Sequence, residues 1–547
     1  MPSELAVGLA LVAVTALAAV AARRLWIPHS ILLVVLGVAL AFVPGVPRVT
    51  LNPDLVLLLL LPPLLYSSGV GMSWRGFRAN LRPILLLAIG CVLFTAAAVA
   101  SVAHVLLGTT WAVGFVLGAV VSPPDSVAPM AIARRLAVPS RVLMVLEGEG
   151  LVNDATALIL FSFAVGAVVT GGVSIADAAG GFAVIVVGEM LWGLAVGWAL
   201  LRARHLARDP QVEIVLALLT PYVAFWPPHM LHGSGVLATV ATGLYVSWNG
   251  PRFIAPATRL QGYFVWSLVV YLVEGVVFLL TGLQAHVVAA GVEAGDWRRL
   301  LLAGLVTSAV VVVVRFVWVF PATYLPRWAS AALRARDPVP PWQFPFMIGF
   351  TGIRGVVSVA AALSIPLTVG AAPFPDRDLV LFATFCVILA TLVGQGVALP
   401  WVIVRLGLAD TGRAEVAEAK RREVEARIVG IDAVLARLDA LEREGCLPAA
   451  AQILRQLHQE RRAEFVDTAD DAVPGSPVPE VAALQLQLIE AERRALAQLY
   501  ASDGITDEAR RRIERELDLE DARTRHAAES ATGDDVRADP GAIGEAE

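Results

Sequence analysis

Apolar runs long enough to cross a lipid bilayer recur throughout residues 1–406, and this feature constrains the chain more than any other. A hydrocarbon core of about 30 Å takes about twenty apolar residues of helix. Such runs lie near 3–22, 28–43, 54–71, 81–107, 111–136, 142–170, 175–201, 212–226, 233–249, 260–290, 298–326, 343–369 and 377–406. Thirteen runs predict an all-α polytopic membrane protein, because a helix satisfies its own backbone where water is absent. Composition points the same way: of 547 residues, 57% are hydrophobic and only 16% charged. Soluble enzymes carry about a quarter charged residues, and disordered scaffolds are poor in apolar ones, so both classes are excluded.

The net charge of −5 hides an uneven distribution. Residues up to Leu406 hold 23 basic and 16 acidic side chains, whereas the remainder holds 19 and 31. This divides the chain into a transmembrane domain, 1–406, and an acidic tail, 407–547. Cys91, Cys386 and Cys446 have no paired spacing, so neither a disulfide framework nor a zinc site is indicated. The opening MPSELAVGLALVAVTALAAVAARR has its arginines after the apolar stretch, which reads as a retained first span, with a signal peptide as the alternative.

Loop arginines fix the direction. With the N-terminus outside, sixteen arginines fall in inner loops and only Arg48, Arg298, Arg299 and Arg377 in outer ones. That places the tail in the cytoplasm and the body in the plasma membrane. Two spans are interrupted: GFVLGAVVSPPDSVAPM by Pro123, Pro124 and Pro129, and FMIGFTGIRGVVSVAAALSIP by Gly349, Gly352, Gly355 and Pro366. If spans 1–6 and 8–13 form two inverted six-helix repeats, these are the fifth span of each. Crossed discontinuous helices in inverted halves mark a transporter's binding site.

Ionisable groups inside a bilayer are costly and point to function. Asp125 follows Pro124 in the first interrupted span and Arg354 lies in the second; the sixth span carries Glu147, Glu149, Asn153 and Asp154 in LEGEGLVNDATALILF. Glu189, Glu274 and Arg315 complete the set, and Arg315 is expected to snorkel toward the inner surface. Glu149 and Asn153 are four residues apart and share a helix face, while Asp154 projects about 100° away from Asn153. Arg354 is always protonated and requires a partner, for which Glu149 is the candidate. Asp154 is then left without a fixed cation. A desolvated carboxylate in that position holds a proton or a metal cation but not both, which is the competition a proton-coupled exchanger needs.

A hard cation would take oxygen ligands. Asp154 and Asp125 offer carboxylates, Asn153 an amide, Ser122 or Ser126 a hydroxyl, and the SPPDS backbone its carbonyls. No Cys or His accompanies them, which argues against zinc, copper or iron, and no cofactor is expected. Blander readings stand beside these. Asp154 can be a packing residue, Asp125 a cap at the Pro kink, and Glu147 either an entry-funnel carboxylate or a solvated interfacial one. His104, His205, His229, His232 and His286 lie near span ends, where interfacial placement is the default.

LEGEGLVNDATALILF, AVVSPPDSVAP, LLLLPPLLYSSG and GFTGIRGVVSVAAALSIP, in that spacing, resemble bacterial sodium/proton antiporters of the monovalent cation:proton antiporter-1 family, over roughly residues 5–406. The resemblance implies that Asp154 binds Na+ (or Li+ or K+) and H+ alternately, and that Asn153 marks electroneutral exchange. It also implies that Asp125 is the aspartate at the helix crossing and that Glu149 and Arg354 brace the core. A homodimer with alternating access follows from it as well, with no nucleic acid among the partners. Several positions depart from the usual pattern. Pro124-Asp125-Ser126 replaces Thr-Asp-Pro, Gly150 stands where a serine is usual, Ser67 stands where many relatives have an acid, and Glu274 is a possible accessory carboxylate where bacterial relatives often have Asn. These bear on selectivity more than on the exchange itself.

From about Ala409 the pattern becomes amphipathic helix, with a seam of Val424, Ile428, Ile431, Leu435 and Leu438. After the Pro-rich DDAVPGSPVPE a second set follows, containing Val481, Leu484, Leu488, Ala495 and Leu499, and the end from about 530 reads as disordered. The tail is either a dimerising or regulatory domain or a solubilising appendage. Other functional readings are a K+/H+ antiporter of the same fold, a cation channel, for which no repeated filter segment is present, and an intramembrane aspartyl protease, whose Gly-x-Gly-Asp arrangement is missing.

Overall fold

The computed structural model describes residues 2–25, 28–44, 53–172, 175–207, 209–231, 233–290, 297–444, 448–470, 478–501 and 507–532. Cys446, His232, Arg48, most of the Pro-rich break and the end from 533 lie outside the described residues. The chain divides into two compact units, Met1–Gly412 and Arg413–Glu547.

Among the described residues, the regular structure of the first unit is helix apart from a two-stranded hairpin that pairs Thr368–Val369 with Ala372–Pro373. Among the described residues, six helices are long and apolar enough to cross a membrane: Leu81–Leu107, Ser140–Thr170, Ala178–Ala207, Thr258–Ala289, Trp297–Ala329 and Arg377–Arg405. Shorter apolar helices include His29–Ala41, Val56–Gly71 and Trp111–Val121. Such helices are apolar all round, so small residues rather than amphipathic stripes decide where they touch. A Cβ added at Gly37 would lie 2.5 Å from Leu279 O, and one at Gly69 would lie 3.2 Å from the Cα of Gly243.

Among the described residues, three helices contain π-helical segments, Val56–Leu60, Leu86–Cys91 and Ala390–Gln395. The first has a plain cause. Pro62 and Pro63 lack the N–H groups that would bond the carbonyls of Leu58 and Leu59. Those carbonyls instead accept from Trp226 Nε1 at 3.2 Å and Tyr222 OH at 3.1 Å, both on the Pro210–Met230 helix. Similarly, Leu86 O at the start of the second accepts from Trp318 Nε1 at 2.9 Å.

Both interrupted spans are helix, break, helix: Trp111–Val121 then Val127–Arg135, and Gln343–Phe350 then Val356–Leu363. In the second unit, Val424, Ile431 and Leu438 are buried on the Leu408–Arg443 helix. Arg455 and Arg462 of the Pro448–Asp470 helix pair with Asp439 and Asp432 across the hairpin. The second predicted seam is corrected. Leu484, Leu488 and Leu499 are exposed, and the buried face is Ala482, Ile489 and Leu496, a seven-residue repeat. Ile489 and Leu496 pack against Leu517 and Ile513 of the Asp507–Thr532 helix, and this partner, which sequence spacing does not reveal, sets the face.

Candidate ion-binding site

The two breaks meet. Pro123 and Pro124 cannot donate backbone bonds, and the helix ends at Val121. The orphaned groups find partners: Asp125 N donates across the crossing to Ile353 O at 2.7 Å, and Arg354 N donates to Thr391 Oγ1 of the Arg377–Arg405 span at 2.9 Å. Arg354 Nε donates to Val121 O at 2.7 Å, and its Nη1 donates to Gly352 O. Val121 ends the first half-helix, where positive charge is favoured, and Gly352 lies just past the second, after its C-cap Thr351. Arg354 is thus a cap on both broken helices. A Cβ added at Gly355 would lie 2.7 Å from the Asp125 carboxylate, so only glycine permits this approach.

The predicted Glu149–Arg354 pair is corrected. Glu149 binds Arg315, with Nη1 to Oε1 at 2.6 Å and Nη2 to Oε2 at 2.8 Å. Arg315 does not snorkel: it is 1% exposed and its Nε donates to Ile348 O at 3.0 Å. A guanidinium 18 residues into a 33-residue apolar helix has no aqueous end within reach, so it takes the buried carboxylate instead.

Beside the crossing lies a cavity of about 90 Å³, lined by Asp125, Ser126, Glu147, Asp154, Glu274 and Ser68 among others. Val127 N donates to Asp125 Oδ1 at 3.1 Å, while Asp125 Oδ2 is buried without a partner. Glu147 pairs with Arg134 at 3.1 Å. Among the described residues no Arg, Lys or His pairs with Asp154 or Asp125. Two predicted ligands, Ser122 and Asn153, do not line the cavity. Ser122 Oγ donates to Ala119 O at 3.1 Å, and Asn153 Nδ2 donates to Pro124 O at 2.7 Å, which clamps the unwound backbone. Of the two candidate serines, Ser126 lines the cavity. Gly150 lines it too, and a Cβ at Gly150 would run into Ser126 Oγ.

Glu189 lies elsewhere. It accepts from the backbone N–H groups of Ser234, Gly235 and Leu237 at 2.5, 3.0 and 3.1 Å, capping the Val236–Phe253 helix. Sequence reasoning missed Arg315 as the partner of Glu149, Thr391 beneath Arg354, and Ser68 in the cavity wall. The signal available for Arg315 was its depth in an apolar run.

Residues 9–405 match the family described as sodium/hydrogen exchanger, transmembrane. The chain belongs to that family. An uncharacterised Na+/H+ exchanger of Mycobacterium tuberculosis is 34% identical over 530 residues, covering 94% of this chain and 95% of the relative. A sodium, potassium, lithium and rubidium/H+ antiporter of Bacillus pumilus is 33% identical over 387 residues, covering 69% and 57%. The sodium/proton antiporter MjNhaP1 from Methanocaldococcus jannaschii shares the fold, with a TM-score of 0.59, 18% identity, and coverage of 74% of this chain and 99% of its own. As a sodium/hydrogen exchanger the chain is a multi-pass membrane antiporter that moves a monovalent cation against protons. Its family consists of transporters, not enzymes.

Proposed function

We propose that the protein exchanges Na+ for H+ by alternating access, with cation and proton competing for Asp154. The observation that carries this reading is the cavity itself, where Asp154 and Asp125 face the space beside two joined helix breaks and neither has a basic partner among the described residues. Na+ as cargo would take oxygens from these two carboxylates and Ser126. Asn153 acts through the backbone by holding Pro124 O, and the Glu149–Arg315 pair braces the core. Glu274 and Glu147 are accessory carboxylates on the route to the site. Because one cation replaces one proton on the same group, the exchange is electroneutral.

The remaining architecture belongs to the same proposal: thirteen spans in two inverted six-helix repeats, N-terminus outside, residues 407–547 cytoplasmic, and a homodimer in the plasma membrane. A wider cation range, with Li+ and K+ beside Na+, is favoured by the likeness to the Bacillus antiporter, whose name includes potassium, lithium and rubidium. The test uses everted vesicles acidified inside. Added Na+ should dissipate the gradient with the wild type and fail to do so with Asp154→Asn, and the order of Na+, Li+ and K+ should hold at several pH values. An Asp154→Asn protein that exchanges normally would sink the assignment.

A further inference from the structure

A second cavity in the membrane unit, of about 50 Å³, has a different chemistry. Its wall includes Arg82, Arg141 and Arg327 together with Phe344 and Pro345. The three arginines come from the start of Leu81–Leu107, the start of Ser140–Thr170 and the last turn of Trp297–Ala329. All converge on one carboxylate, Asp337. Arg327 Nη2 lies 2.6 Å from Oδ2, Arg141 Nη2 bonds Oδ1, and Arg82 Nη2 stands 3.6 Å from Oδ2, beyond hydrogen-bond range. Three positive charges therefore meet one negative charge. Arg327 is 3% exposed, and Arg82 Nε and Nη1 are buried without a partner. Buried N–H donors left unmade are expensive, and those of a charged group more so.

We propose that this cavity binds a phosphate-bearing anion, with Arg82 Nε and Nη1 as the donors and Arg141 and Arg327 completing the cradle. The planar guanidinium fork matches a tetrahedral oxyanion in two-pronged fashion. The space takes roughly four waters, the footprint of one phosphate group. Asp337 keeps the three arginines gathered and offsets part of their charge, which leaves binding reversible. The same chemistry is presented by free phosphate and by the headgroup of an anionic lipid. None of these residues lines the carboxylate cavity, so the site is separate from the one that holds the cargo.

The test is thermal unfolding of the purified full-length protein in detergent, with ionic strength held constant by chloride. Inorganic phosphate should raise the wild-type midpoint by on the order of 2–4 °C as it saturates, and Arg82→Gln should lose most of that rise. Asp337→Asn frees the arginines from their one carboxylate and should reach half-saturation at several-fold lower phosphate. Where Arg82→Gln fails to fold, Arg82→Lys retains the charge, loses the fork, and serves the same comparison. In a parallel arm, phosphatidylglycerol is compared with phosphatidylcholine. A shift only with the anionic lipid assigns the headgroup, and a shift with phosphate assigns a soluble anion. Equal shifts in wild type and Arg82→Gln, a phosphate dependence unchanged by Asp337→Asn, or no shift in either arm would overturn the proposal.

Discussion

Glu149 and Arg315 face each other through two parallel hydrogen bonds, with side-chain exposures of 2% and 1%. Removing one charge of such a pair strands the other in a dry interior, at about 3–5 kcal/mol. Glu149→Gln should therefore lower the unfolding midpoint sharply, and adding Arg315→Gln should recover part of the loss. Adding Arg354→Gln instead should recover nothing, because Arg354 rests on backbone carbonyls. Sequence spacing placed Glu149 correctly on its helix but gave the partnership to Arg354. Intrahelical geometry says which residues share a face, and the approach of a separate helix 166 positions away is invisible to it. Asp337 supplies the pH test. Burial alone would raise its carboxyl, but the hydrogen bond and charge of Arg141, with Arg327 and Arg82, outweigh that and hold it below its ordinary 3.8. The unfolded chain then takes up the proton more readily than the folded one. The stabilisation is complete above about pH 4 and is lost as pH falls through the folded value. Asp337→Asn should lower the midpoint at neutral pH, and the gap to wild type should close in acid.

At the scale of elements, the helix breaks were readable because proline and glycine announce them, and the seam of the first tail helix because apolar residues recur at helical steps. The π-helical segments were not: at Val56–Leu60 the segment's own residues are ordinary apolar side chains, and the cause lies in the prolines that follow, with the freed carbonyls taken up by another helix. The second tail seam was misread for a related reason: several faces of that helix carry leucine, and the partner chooses among them. Gly150 gains a reason here. Ser126 Oγ occupies the space that a side chain at 150 would need, so at this point of the cavity wall the hydroxyl comes from the break and not from the Ser140–Thr170 helix. Gly150→Ser should depress exchange by crowding Ser126, and the Gly150→Ser/Ser126→Gly double variant should restore much of it. Initial rates of Na+-driven proton movement in vesicles would check this, with no recovery in the double variant counting against it.

Across the whole molecule, the apolar runs foretold a helical membrane body. What lay beyond reach was which atoms meet between distant segments, above all the joint that Asp125 N and Ile353 O make at the expected crossing. That joint has a consequence in time. Stretches of chain outside regular helix ordinarily surrender their amide protons to heavy water within moments, as local openings are frequent there. The amide of Asp125 is tied to Ile353 O across the crossing, so it should exchange as slowly as a helix interior. If the crossed helices travel as one body, that slowness should persist whether the protein is held at high Na+ or at low pH. Mass-resolved deuterium uptake would read this directly, and rapid labelling at Asp125 in either condition would mean that the joint opens during each turnover.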